Sequence, residues 1–346
     1  MYMTHVPRLN VGDTVALLTM SWGGPHAFPH VYTLGKKRLE EQFGLVVKEY
    51  PSTLASAEEL FASPEMRAKD VTNAFHDPTV QGIISTIGGE ESLRILPFLD
   101  LPELAKHPKV FLGYSDTTTL LTALNMQGLP TFHGPSVMAG FAEPSRLPDA
   151  FVDHVKRFFF TPWQEFTYEA YPSWTEELLP WEDPQNLLKQ RAFTHNDGWH
   201  VVQGGGRAQG VLFGGNIEVL EFLKGTPYFP GPDFWQGKLL FLETSEEVPS
   251  VEQVIRWLRN YALLGVFDAV PAVLFGRLRG YSSKEKVAFD KRIHDYFTRE
   301  VGRPELLIIT NLDFGHTDPQ WILPLGVHAQ VDLENKKLML LETPFI

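Results

Sequence analysis

Hydrophobic positions in the first third of the chain fall into short apolar runs separated by segments with helical spacing. Val15-Ala-Leu-Leu-Thr-Met20, Leu45-Val-Val-Lys-Glu-Tyr50, Gly82-Ile-Ile-Ser-Thr-Ile87 and Val110-Phe-Leu-Gly-Tyr114 read as strands, while Leu34 to Phe43 and Glu65 to Phe75 read as helices. That alternation predicts βαβ units and a parallel sheet. Between about residues 140 and 199 it fails. Proline and tryptophan crowd together there in Pro162-Trp163, Pro172-Ser-Trp174 and Pro180-Trp-Glu-Asp-Pro184. A stretch so rich in tryptophan is a poor candidate for disorder, and a long functional loop is expected. Strand-like runs resume at 209–213, 238–242, 272–275 and 306–310, with helical patterns at 251–263 and 284–301. A hairpin is expected where Ala329 to Leu333 meets Lys337 to Glu342 across Glu334-Asn-Lys. The pattern predicts an α/β protein of two domains: residues 1–160, a linker and substrate loop at 161–205, and a second α/β domain at 206–346.

Length supports the division, because 346 residues exceed what one core usually holds. A net charge of -12 disfavours a nucleic acid polymer or an anionic membrane as partner. With no cysteine, disulfides, thiolate nucleophiles and cysteine metal sites are excluded, leaving oxygen and nitrogen chemistry. The first residues lack a secretion-signal pattern and no apolar run approaches the ~20 residues of a membrane span, so a soluble, cytoplasmic protein is expected.

The segment Gly113-Tyr114-Ser115-Asp116 joins a predicted strand to a predicted helix at Thr117 to Met126. A serine on such a turn is presented at the carboxyl edge of the sheet, beside helix N–H groups that can stabilise an oxyanion. Serine and aspartate there equally suit a plain helix cap. Thr117 stands where an α/β-hydrolase elbow has its second glycine, so that fold is not implied. The pair Gly88-Gly89 ends another buried run and allows close backbone approach to a ligand, or simply a tight turn. Twelve histidines compete as base. His26 and His30 are read as loop residues because Pro25 and Pro29 interrupt a helix. His76, His107, His154 and His294 are read as solvated. His316, in Asp313-Phe-Gly-His-Thr-Asp318 directly after an apolar strand, stands where ligand chemistry gathers in α/β folds. Glu243 ends the strand Lys238 to Leu242 and is the favoured acid, with Glu218, Glu246 and Glu247 as competitors.

Together these segments resemble the LD-carboxypeptidase family of serine peptidases, most closely its branch of microcin C immunity proteins. The matching residues are Val11-Gly-Asp-Thr-Val15, Arg67-Ala-Lys-Asp-Val71, Ala74-Phe-His-Asp-Pro78, Ser85-Thr-Ile-Gly-Gly89, Gly113-Tyr-Ser-Asp116, Gly214-Gly-Asn216, Leu240-Phe-Leu-Glu243, Gly315-His-Thr-Asp-Pro319 and Leu323-Pro-Leu-Gly326. They run through nearly the whole chain in order. The resemblance implies a flavodoxin- or amidotransferase-like N-terminal domain, a C-terminal α/β domain, an active site between them, and a homodimer. It also implies a Ser–Glu–His triad at Ser115, Glu243 and His316, with an oxyanion hole from the Asp116 N–H and the Gly88-Gly89 turn. Asn216 and Trp181 are the implied substrate-binding residues, the tryptophan stacking on a nucleobase. The loop departs from that branch in its proline-rich Glu182-Asp183-Pro184. The implied reaction is amide hydrolysis of a peptidyl- or aminoacyl-nucleotide, with no cofactor and no metal. The alternatives are trimming of murein tetrapeptides by the same chemistry, or a silent binding protein that uses the same cleft.

Overall fold

The computed structural model describes residues 4–346. Residues 1–3, which open the stretch read as lacking a secretion signal, lie outside the described residues. The strands in chain order are β1 (Thr14–Leu18), β2 (Val46–Glu49), β3 (Val80–Ser85), β4 (Val110–Gly113), β5 (Thr131–His133), β6 (Phe166–Thr167), β7 (Ser173–Trp174), β8 (Thr194–His195), β9 (His200–Gln203), β10 (Arg207–Asn216), β11 (Lys238–Glu243), β12 (Ala272–Gly276), β13 (Leu307–Leu312), β14 (Leu323–Leu325), β15 (His328–Asp332) and β16 (Lys337–Leu340).

The first sheet has the order β14-β5-β4-β3-β1-β2, and β1 to β5 are parallel. β4 is buried along its length and most of β1 and β3 is too, as the near-continuous apolar runs require of strands covered on both faces. The second sheet has the order β6-β16-β15-β10-β11-β12-β13-β9, with a parallel centre, β10 to β13, and antiparallel edges. The two-domain α/β architecture expected from the pattern is thus present. Contributions cross the expected boundaries: β14 adds an antiparallel edge to the first sheet, and the linker supplies β6 and β9 to the second. The expected hairpin is β15 against β16.

Local readings differ at three places. Pro25 and Pro29 do not disrupt helices; they start them, at Gly24–Ala27 and Pro29–Phe43, where a missing N–H and a fixed φ cost nothing. His26 and His30 are therefore helical residues. Within the stretch read as irregular, Asp149–Val155 is a helix continued by a π turn at Lys156–Phe160. His154 on that helix is buried, not solvated. Its Nε2 accepts the Ile322 N–H at 3.0 Å, and burial lowers its pKa to about 3, so it is a neutral core residue.

The two sheets meet where the carboxyl end of β10 packs on the helix Thr118–Asn125. A Cβ at Gly215, whose φ is +149°, would lie 2.6 Å from Thr118 Cγ2. The glycines of Gly214-Gly-Asn216 thus bring the end of the second sheet against the helix that follows Ser115. Among the described residues, no helix is long and apolar enough to cross a membrane.

Candidate active site

Ser115 occupies the turn between β4 and the helix beyond it, with φ +56°, a left-handed conformation unusual for a residue with a side chain. A short 3-10 turn, Ser115–Thr117, precedes the helix Thr118–Asn125. Thr117, in the place of an elbow glycine, has a structural task. Its hydroxyl donates to Ser85 Oγ at 3.0 Å, and Ser85 Oγ donates to the Ile87 carbonyl at 2.9 Å, tying the serine turn to the glycine turn. The two turns touch. A Cβ at Gly88 would stand 2.8 Å from both Cβ and Oγ of Ser115, so a side chain at Gly88 would collide with Ser115.

The oxyanion donors expected from the sequence lie at this junction. Asp116 is fully buried, and its N–H is among the unpaired donors that open a helix. Its side chain faces away: Oδ2 accepts the Ser92 N–H at 2.8 Å, and Ser92 Oγ donates to the Asp116 carbonyl at 2.7 Å. Burial raises the pKa of this carboxyl. Neither the Gly88 nor the Gly89 N–H has an acceptor among the described residues.

Glu243 ends β11 and His316 follows β13, at the same edge of the second sheet. His316 Nδ1–H donates to Glu243 Oε2 at 2.6 Å, with both side chains buried. Burial opposes charge on the imidazole, yet the carboxylate outweighs it and the His316 pKa is raised. Glu243 moves down for the reciprocal reason: burial alone would raise it, and the charge of His316 overrides that. The Tyr114 ring packs 4.9 Å from the His316 ring. The competing acids have separate places. Glu218 accepts both the N–H and the hydroxyl of Ser245, at 2.9 and 2.8 Å. Glu246, on the loop so anchored, brings Oε2 to 3.2 Å from His316 Nε2. Among the described residues no hydrogen bond joins Ser115 Oγ to His316; catalytic contacts are often loose without substrate.

Ser115, Gly88, Gly89, His316 and Trp181 all border one cavity of about 540 Å³. At its aromatic end the Trp181 ring lies nearly parallel to Trp22, at 6.3 Å and 14°, with Phe28 edge-on at 5.6 Å. His30 Nε2 meets the Trp181 carbonyl at 2.7 Å, so a residue read as a loop histidine anchors the loop that carries Trp181. Arg191 from the same loop contacts Glu143 and, at 2.8 Å, Asp318. Asn216 is not at the cavity. It is fully buried, pairs in register with Glu243, and caps the helix Ile217–Leu223 by accepting the Val219 N–H at 2.9 Å. Sequence reasoning missed Trp22, Phe28, Arg191 and Arg279 at the cavity, since nothing local separates a wall residue from a surface one. Away from the cavity, His76, Glu103 and His107 bring possible ligand atoms within 4.8 Å of one another.

A strained serine at a sheet edge, a histidine held by a buried acid and a cavity shared by both halves are the parts a serine hydrolase requires. The LD-carboxypeptidase N-terminal domain model matches residues 15–134 and the C-terminal domain model matches residues 209–331. The chain belongs to the LD-carboxypeptidase family and is a serine-type carboxypeptidase. It is 28% identical over 340 residues to the microcin C7 self-immunity protein MccF of Escherichia coli, covering 96% of this chain and 94% of that one. It is 38% identical over 277 residues to the murein tetrapeptide carboxypeptidase of Pseudomonas aeruginosa, covering 79% of each. The solved structure of MccF in complex with aspartyl sulfamoyl adenosine superimposes with a TM-score of 0.87 at 26% identity, covering 99% of both chains.

Proposed function

We propose that the protein hydrolyses the amide bond of an aminoacyl- or peptidyl-nucleotide with Ser115 as nucleophile, His316 as base and Glu243 as the group that orients His316. Ser115 Oγ attacks the amide carbonyl and passes its proton to His316 Nε2. The Asp116 N–H and the N–H groups of the Gly88-Gly89 turn stabilise the resulting oxyanion. His316 then delivers the proton to the departing nitrogen and the C–N bond breaks, leaving an acyl ester on Ser115. Water adds to that ester, loses a proton to His316 and releases the acid, and the serine hydroxyl is restored. Glu243 stays ionised, stabilising the imidazolium and fixing the tautomer.

The observation that carries the nucleotide reading is the aromatic end of the cavity. Trp181, backed by Trp22 and Phe28, offers a π face in the same cavity as the nucleophile. Stacking a base there is worth about 1–3 kcal/mol. Arg279, which also borders the cavity and has no ion pair among the described residues, suits an anionic leaving group. Asn216 acts behind Glu243, as a positioning residue. Similarity to a murein tetrapeptide carboxypeptidase favours a second substrate, a tetrapeptide, handled by the same three residues. Turnover of an aminoacyl sulfamoyl adenosine and of a murein tetrapeptide by one preparation separates the readings. Ser115→Ala abolishes either reaction. Trp181→Ala raises KM for the nucleotide about 10- to 100-fold and leaves the tetrapeptide reaction unchanged. Full activity of Ser115→Ala overturns the mechanism, and an unaltered nucleotide KM in Trp181→Ala overturns the base-stacking assignment.

A further inference from the structure

Glu246 stands where the proposed mechanism needs free space. Its Oε2 is 3.2 Å from His316 Nε2, the nitrogen that must take the Ser115 proton, although its side chain is 56% exposed and free to swing. The loop that holds it is built for the placement. Upstream, the largely buried Glu218 fixes Ser245 through two hydrogen bonds. Downstream, Val248 is held at φ +50°, a strained conformation for a β-branched residue. Tyr281 fastens the next residue, Pro249, through its hydroxyl. Strain of this kind persists only where the surroundings impose it, and it collects at functional sites.

A carboxylate beside the base needs a cation, and two considerations say which one. The leaving part is anionic whether it is a nucleotide or the carboxyl-terminal residue of a peptide, so Glu246 would repel it and must face the acyl side. The α-nitrogen of an acyl residue is two bonds from the attacked carbon. It therefore lies within hydrogen-bond reach of a group that already touches the base acting on that carbon. The cavity's own cations leave Glu246 open to a ligand: Arg191 is engaged with Glu143 and Asp318, and Arg279, which borders the same cavity, makes no ion pair with Glu246 among the described residues.

Resting on the reading of Ser115 and His316 above, we propose that Glu246 binds the free α-ammonium of the acyl residue, so that the enzyme acts on aminoacyl compounds and discriminates against those whose α-nitrogen is in a peptide bond. In the free enzyme the carboxylate rests on His316 Nε2. The substrate ammonium draws it away and leaves that nitrogen to Ser115, so the base is freed when the correct substrate arrives.

The test compares alanyl sulfamoyl adenosine with its N-acetyl derivative, and L-alanyl-D-alanine with its N-acetyl derivative, in the wild type and in Glu246→Gln. Affinities are measured in parallel on Ser115→Ala and on Ser115→Ala combined with Glu246→Gln. N-acetylation lowers wild-type kcat/KM at least tenfold, the value of one charge-assisted hydrogen bond, and the gap closes to within about twofold in Glu246→Gln. The ratio cancels any effect of Glu246 on His316 itself, because both compounds share it. Equal turnover of free and blocked compounds by the wild type overturns the inference, and so does a gap that persists in Glu246→Gln. Turnover of the dipeptide pair alone defeats the nucleotide reading while leaving this inference to be judged on the dipeptide ratio. If none is turned over, the same ratio is read from the affinities, and no preference for the free amine overturns it.

Discussion

At the scale of single residues, the site combines strain with compensated charge. Ser115 at φ +56° carries a backbone penalty of about 1–3 kcal/mol, which the surrounding turn must hold in place. His316 faces the opposite problem. Its ring is buried, which penalises the imidazolium, and its raised pKa exists because Glu243 more than compensates, with Glu246 adding in the same direction. In the proposed mechanism the neutral ring is the base, so kcat/KM is expected to rise with pH through an apparent pKa above the ordinary imidazole value of about 6.5. In Glu243→Gln the burial penalty remains while its largest compensation is gone. The acid limb of the pH–rate profile then moves below about 6.5, and the rate falls by about 10²- to 10⁴-fold. A limb that stays in place in Glu243→Gln would show that another group sets the protonation of the base.

At the scale of elements, what places His316 is a buried ion pair one strand away. Arg277 and Asp313 are both fully buried, with Nη2 to Oδ1 at 2.5 Å. The Arg277 guanidinium stacks over Trp174 at 4.8 Å, and the Arg277 backbone N–H donates to the Leu312 and Phe314 carbonyls at 2.9 and 3.2 Å. Asp313 also accepts Asn196 Nδ2 at 3.0 Å, so β12, the linker and the loop carrying His316 are bound at one point. Breaking such a pair leaves an uncompensated buried charge and costs about 3–5 kcal/mol. Asp313→Asn therefore lowers the midpoint of urea unfolding by that equivalent. It also lowers kcat, because the His316 loop loses its anchor; an unchanged midpoint would mean that the pair contributes nothing. Elements of this kind mark the limit of what the chain reveals by pattern. Strand runs and the edge positions of Ser115, Glu243 and His316 are legible, because apolar periodicity and strand ends are local properties. The helix starts at Pro25 and Pro29 are not, since a proline that stops one helix looks the same as one that begins the next. The burial of His154 and of Asn216 is not legible for a related reason: it comes from distant segments, Ile322 for the first and β11 for the second.

At the scale of the whole molecule, the cavity is closed by a loop that belongs to neither sheet, and Arg191 fastens it to both halves. Its guanidinium grips Glu143, which follows the first sheet, and Asp318, two residues beyond His316, while Nη1 holds the Glu177 carbonyl of its own loop at 3.0 Å. Thr175 and Asp318 exchange backbone hydrogen bonds at 2.7 and 2.9 Å, so the loop is also tied to the segment that bears His316. The three anchors are not equivalent. Glu143 is nearly inaccessible and Asp318 partly open, and without the guanidinium the two acids would share a wall with no cation between them. Arg191→Met therefore drives Glu143 further toward its neutral form and frees the loop from both halves. Because Trp181 rides on this loop while Ser115, Glu243 and His316 do not, the loss falls on binding. KM for an aminoacyl nucleotide rises about tenfold, kcat changes less than about threefold, and a protease cleaves within residues 176–192 at a protein concentration where the wild type resists. Arg191→Lys keeps the charge without the fork that spans two carboxylates, so it restores loop protection only in part. A variant in which kcat falls and KM holds would place Arg191 in the positioning of His316 through Asp318 and not in the loop.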